Sequence, residues 1–174
     1  MNVRLADARD AVVLAQLLRS YLDEGYPDHA GSTADELRRD VFGASGRQHV
    51  LLLESKGTTI GFLAWDEVYD MHWAMRGAQI ADVYVVPAAR GLGAALLLIA
   101  RACQEARVVG GSFLRGGAYD RDSTRKFFLR VAVVAASGDT HLSGRAFRHL
   151  AEFQGASVRQ LLEHLPPVHW NYEA

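Results

Sequence analysis

Apolar residues recur along this chain with two periods, and the switches between them mark its elements. Val3 and Leu5 flank Arg4, which predicts a short first strand. Leu14, Leu17, Leu18, Tyr21 and Leu22 then fall on one helical face, with Asp7 standing where a cap belongs. A loop over 25–31 follows, and Thr33 with Glu36 has capping-box spacing for a second helix ending near Phe42. HVLLLES (49–55) and TIGFLAWDEVY (59–69) read as strands joined at Lys56-Gly57-Thr58, hence a hairpin. After a connection over 70–77, AQIADVYVV (78–86) is a strand stopped by Pro87. The next helix carries Ala95, Leu98, Ile99, Ala102 and Ala106 on one face, and Gly110-Gly111 closes it.

Beyond it, SFLRGGAY (112–119) is read as a strand. A helix through Phe127, Phe128 and Leu129 follows, capped by Asp120 or Asp122. VAVVAAS (131–137) is expected to be a central strand. RAFRHLA (145–151) is read as a last strand in preference to a helix, and Ser157 caps VRQLLEHL before Pro166-Pro167. The order implies a mixed sheet carrying helices, α/β or α+β, in a single domain over 1–174.

Composition narrows the function. A net charge of −1 argues against a nucleic-acid partner, which calls for a basic surplus. The one cysteine, Cys103, excludes an internal disulfide framework and a thiolate zinc cluster, and it sits on an apolar helix face as a small core residue. The seven histidines show no close metal-ligating pairing, so no metal is expected. The apolar run from Ala94 to Ala100 falls far short of the ~20 residues that span a bilayer, and no signal-peptide core is present. A cytoplasmic location without membrane attachment follows. Leu161, Leu162 and Leu165 form a stripe that suits either the chain's own core or a homodimer contact.

The chemistry concentrates in DVYVVPAARGLGAALL. A strand enters a helix through a turn almost without side chains, which clusters backbone N–H groups at a helix N-terminus carrying about half a positive charge. Gly91, Gly93, Ala94 and Ala95 let phosphate oxygens approach the amides, and Arg90 adds a charged fork. A P-loop needs Lys-Ser/Thr where Ala94-Ala95 stand, and a dinucleotide fingerprint needs a third glycine or alanine where Leu96 stands. A third reader of phosphate is the R-x-x-G-x-A signature, present as Arg90, Gly93 and Ala95.

With these residues and this element order the chain resembles the GNAT (GCN5-related N-acetyltransferase) superfamily over most of its length. The resemblance implies a mostly antiparallel central sheet with splayed central parallel strands and flanking helices. It implies acetyl-CoA as co-substrate, its pyrophosphate on Arg90, Gly91, Leu92, Gly93, Ala94 and Ala95 and its pantetheine arm on Val85 and Val86. Within the superfamily, YDMHWAMRGAQIADVYVV is similar to the diamine and polyamine acetyltransferase branch, with Trp73 and Asp82 at that branch's spacing and Ala81 where it has a first acid.

Attack on a thioester needs a neutral amine, so a base or water chain must take its proton. Asp82 is the candidate, its alternative being a plain hydrogen bond to backbone. Asp66, Glu67 and Asp70 either attract a cationic acceptor or form a solvated strand end. Trp65, Trp73 and Tyr26 are candidate walls of the acceptor pocket. The family's thiolate-protonating tyrosine is matched by Phe128 and its nearby asparagine by Arg121, which leaves Tyr119, water or the coenzyme itself to complete that step. The reading is transfer of an acetyl group to a small, cationic primary amine by direct attack. Its rivals are an acyl-CoA-binding regulatory module and a protein or peptide N-acetyltransferase.

Overall fold

The computed structural model describes residues 1–117, 132–134, 139–154, 157–163 and 165. The chain begins with β1 (Asn2–Leu5), a 3-10 turn (Ala8–Asp10) and α1 (Ala11–Gly25). Next come α2 (Ala34–Glu36), which runs on into a wider turn over Leu37–Val41, and strands β2 (Gln48–Ser55), β3 (Thr58–Asp70) and β4 (Met75–Val85). A 3-10 turn (Pro87–Ala89) leads toward α3 (Ala94–Val108) and β5 (Phe113–Gly117). The rest comprises β6 (Val133–Val134), β7 (Asp139–Ser143), α4 (Gly144–Glu152) and α5 (Val158–Glu163). The strand order is β1-β2-β3-β4-β5-β7-β6, with β1–β2, β5–β7 and β7–β6 antiparallel and β4–β5 parallel. This is the mixed, mostly antiparallel α/β sheet expected.

The chain packs as two compact units. The first comprises Met1–Trp65 and Asp82–Leu98. Its core is built by α1, whose Leu14 and Leu17 are buried with Val50 and Leu52 of β2, Phe62 and Ala64 of β3 and Tyr84 of β4. The i, i+2 spacing of Val50 and Leu52 puts both on one face of β2, and burying each such side chain contributes roughly 2 kcal/mol. The 3-10 turn that leads into the helix is held by a reciprocal capping box between Asp7 and Asp10. Arg4 fixes that corner to the sheet, donating to Asp10 at 2.7 Å and Glu54 at 2.8 Å.

The second unit comprises Asp66–Ala81 and the chain from Ile99 onward. Its β4–β5 register is short, Ala78↔Leu114 and Gln79↔Arg115. Phe113 and Leu114 of β5, Leu142 of β7 and Phe147 and Leu150 of α4 are buried. Cys103 is buried as expected, and burial pushes its thiol well above the usual range.

Three expectations are corrected here. Residues 145–151 are helical, not a strand: Ala146, Phe147, Leu150 and Ala151 are buried at i, i+1, i+4 and i+5, one face of a helix, and the strand is the preceding DTHLS. The strand through 133–134 stands last in the sheet order, next to β7, rather than at its centre. The connection expected over 70–77 shrinks, because β3 runs to Asp70 and β4 starts at Met75. The helix expected after Asp120 or Asp122 lies outside the described residues.

Candidate active site

In the first unit, β4 ends at Val85, and Val86 donates its amide to the Ile60 carbonyl of β3 at 3.0 Å. Peptide groups alternate along a strand, so those of Tyr84 face β3 as well, while those of Val83 and Val85 point to the opposite edge. Pro87 opens the 3-10 turn at a position that needs no N–H. Gly91 and Gly93 then adopt φ of +77° and +78°, a region that side-chain-bearing residues avoid. A Cβ built on Gly91 would meet nothing within 4 Å, so its backbone is open to a ligand. Leu92 between them is 61% exposed.

The two left-handed residues aim the chain into α3. Leu97 makes the bond back to Gly93, at 3.2 Å, so the amides of Ala94, Ala95 and Leu96 precede the first turn's closure and have no acceptor within the helix. Small residues and amides without an intrahelical acceptor thus coincide at a helix N-terminus, the combination that can hold a diphosphate.

Arg90 is placed differently from a simple phosphate fork. Its Nε donates to the Val85 carbonyl at 2.8 Å, and one Nη donates to both carboxylate oxygens of Glu24 at 2.8 Å. The guanidinium lies 5.5 Å from the Tyr84 ring centroid, and the Tyr84 hydroxyl donates to the same Glu24 at 2.9 Å. Burial, and then the hydrogen bond to Glu24, push the Tyr84 hydroxyl above its ordinary range. Neither Glu24 nor Tyr84 was singled out from sequence. The one available signal is that Tyr84 shares a strand face with Asp82, two residues away.

Asp82 is half-buried. Burial raises its carboxyl above the usual range, and a hydrogen bond with Tyr21 partly opposes that rise. Tyr21 and Glu24 lie three apart near the end of α1, so one helix turn reaches both Asp82 and Arg90. Tyr26 sits edge-on to Tyr21, with centroids 6.2 Å apart, and is exposed. Trp65 is enclosed at 1% exposure and stacks on His49 at 4.2 Å, so it packs as a core side chain.

The remaining candidates belong to the second unit. Asp66 is half-buried near the middle of β3. Asp70 caps the β3–β4 turn, accepting from the amides of His72 at 3.0 Å and Trp73 at 3.2 Å, and pairs with Arg115 at 3.6 Å. Its carboxylate therefore has a structural occupation. Trp73 is exposed at the hairpin tip, edge-on to His72. Tyr119, Arg121 and Phe128 lie outside the described residues. Among the described residues, no group of three histidine, cysteine, aspartate or glutamate side chains is placed to hold a metal. No described helix is long and apolar enough to cross a membrane.

A strand entering a helix through left-handed glycines is an anion-binding arrangement shared by several classes of protein, and the family match decides among them. The Acetyltransferase (GNAT) family matches residues 13–131, so the chain belongs to that family and is an acetyltransferase by membership. Family members use acetyl-CoA and an acceptor.

Among solved structures, a ribosomal-protein-alanine N-acetyltransferase from Brucella melitensis biovar Abortus 2308 is 26% identical, with a TM-score of 0.64. The match covers 78% of this chain and 94% of that one. An integron cassette protein of V. cholerae is 18% identical, covering 87% and 98% at a TM-score of 0.66. An aminoglycoside acetyltransferase from an uncultured soil metagenomic sample is 20% identical, covering 70% and 81% at a TM-score of 0.57. The last two show the fold alone. A comparison with curated proteins gives no match.

Proposed function

We propose that this protein transfers the acetyl group of acetyl-CoA to the primary amine of a small, cationic acceptor by direct attack. The observation that carries the coenzyme half is the left-handed pair Gly91 and Gly93 delivering the chain into the first turn of α3, whose leading amides have no acceptor within the helix. In this reading the amides of 91–96 hold the diphosphate. The β4 edge at Val83 and Val85 pairs with the pantetheine arm. Val86 contributes through the bend at Pro87 rather than through its amide, which β3 already uses.

Asp82 serves as the base. A carboxyl raised by burial is a stronger proton acceptor than an exposed one, and the Tyr21 hydroxyl fixes its orientation. The acceptor nitrogen loses a proton to Asp82 through water as the C–N bond forms. The C–S bond breaks and the electron pair leaves with the coenzyme sulfur. A free thiol titrates near pH 8.5, so the leaving thiolate needs little help from a protein acid. Tyr119 remains the candidate for that help. The exposed aromatic Tyr26, edge-on to the Tyr21 that bonds Asp82, supports a cationic acceptor beside that carboxylate.

The likeness to the Brucella enzyme favours a second reading, in which the acceptor is a protein or peptide amine. A coenzyme-release assay over small diamines, polyamines, an aminoglycoside and an alanine-terminated peptide separates the two. Turnover on the small cations supports the proposal, and turnover on the peptide alone overturns its acceptor class. Tight acetyl-CoA binding without turnover on any amine marks a binding module instead.

A further inference from the structure

We infer that Arg19 is a positioning residue for the acceptor: it clasps the loop between α1 and α2 onto the helix, so that Tyr26 stands ready as a wall before any acceptor arrives. This rests on the reading of Tyr26 given above and deepens it by assigning the residue that holds it.

The loop folds back onto α1, all within the first unit. Tyr26 donates its amide to the Leu22 carbonyl at 2.6 Å as the helix ends, and His29 donates to the Tyr26 carbonyl at 2.9 Å, which turns the chain. Arg19 then reaches across from the helix. One Nη donates to the His29 carbonyl and, at 3.2 Å, to that of Ala30, while the other pairs with Asp23 at 2.7 Å. A charged donor shared between two loop carbonyls holds them more firmly than a neutral one. Next, Gly31 takes φ of +74°, and a Cβ built on it would come within 2.6 Å of Leu22 Cδ1, so this stretch lies directly on the last turns of α1. Thr33 and Glu36 fix the far end as the capping box of α2.

Tyr26 stands at the bend, exposed yet gripped on two sides. Its ring is edge-on to Tyr21 at 6.2 Å and to His29 at 5.8 Å. Arg19 sets the His29 backbone, and His29 sets the outer flank of Tyr26. A wall already in place spares the acceptor the cost of ordering a side chain and a loop. The clasp needs a planar fork: a lysine keeps the charge but loses the pair of Nη groups that serve Asp23 and the carbonyls together. Loss of Arg19 should therefore weaken the acceptor and spare both the coenzyme and the chemical step. Because Arg19 acts through Tyr26, the effects of removing the two should not add.

The test pairs kinetics, with putrescine as the acceptor, and amide hydrogen exchange without any acceptor. The proteins are wild type, Arg19→Met, Arg19→Lys, Tyr26→Ala and the Arg19→Met, Tyr26→Ala double variant. Arg19→Met should raise KM for putrescine about tenfold and Arg19→Lys about threefold, with kcat and acetyl-CoA affinity within about twofold of wild type. Adding Arg19→Met to Tyr26→Ala should change KM by less than about twofold. Exchange at the Tyr26 and His29 amides should quicken about tenfold in Arg19→Met while the Leu17 amide, in the buried part of α1, keeps its rate. Additive effects on KM overturn the inference. So does a fall in kcat at unchanged KM, or exchange at Tyr26 and His29 that stays as in wild type. Equal quickening at Leu17 would make Arg19 a support of the whole helix, which also overturns it. Should Arg19→Met fail to fold, Arg19→Lys is judged by the same criteria. Failure of the acceptor reading itself is distinguishable: wild type would leave putrescine unacetylated, or Tyr26→Ala would keep the wild-type KM, and the exchange rates would still decide whether Arg19 holds the loop.

Discussion

Two turns of this molecule use glycine in the same backbone state and do different things. At the β2–β3 hairpin, Lys56 and Gly57 adopt φ of +51° and +80°. At the entrance to α3, Gly91 and Gly93 adopt +77° and +78°. A Cβ added at Gly57 or at Gly91 would meet nothing within 4 Å, so neither residue is required for close packing. The difference lies in what each turn delivers. The hairpin returns the chain into a strand, whose amides the sheet consumes. The other turn delivers it into a helix, whose first amides have no acceptor within the helix itself. Left-handed glycine is thus a backbone device, and the binding capacity comes from the element that follows it.

Straining both turns equally separates their roles. Gly93→Val and Gly57→Val each force a β-branched residue to positive φ, at about 1–3 kcal/mol. Both should lower the melting temperature by several degrees. Only Gly93→Val should also lose acetyl-CoA affinity, by about 100-fold, because it shuts the amides away from phosphate. Equal affinity in the two folded variants would remove the diphosphate from this turn.

Asp82 gives the next largest effect. Asp82→Asn should cut turnover by about tenfold or more and spare acetyl-CoA binding, and it should abolish the acid limb of the pH–rate profile. Stability should move the other way. The folded carboxyl titrates above its unfolded value because burial disfavours the charge. Its contribution is therefore complete at low pH and is lost as pH rises through the folded value. Asp82→Asn should accordingly melt higher than wild type at neutral pH, and the gap should close at acid pH. A turnover profile unchanged across pH would retire Asp82 as the base.

Smaller effects sharpen the picture. Gly91→Ala adds a Cβ in open space, so only its φ of +77° is penalised. It should cost about 1 kcal/mol of stability and weaken acetyl-CoA only a few-fold. Cys103 should do nothing. Its thiol is buried and pushed up by burial, so the native protein should resist alkylation, with unchanged turnover.

Much of this was legible in the chain itself, for local reasons. The Asp7 and Thr33 caps, the Lys56-Gly57 turn and the β4–turn–α3 passage all depend on residues within a few positions of one another. The errors arose where local pattern competes with tertiary placement. RAFRHLA is short, yet Arg145, Arg148 and His149 already stand at helical intervals, and the true strand is the more polar DTHLS. An apolar composition around Val133 does not fix a strand's rank in the hydrogen-bonded order, which long-range pairing decides. The site divides the same way. The glycines announce themselves, whereas Glu24 stands 66 residues from Arg90 and resembles any exposed helix acid until the fold brings the two together.

Amide chemical shifts recorded while acetyl-CoA is titrated into the labelled protein test the central claim most directly. The largest shifts are expected at Gly91, Gly93, Ala94 and Ala95 and none at Lys56 and Gly57. A coenzyme-saturated protein whose 91–95 amides stay where they were would contradict it.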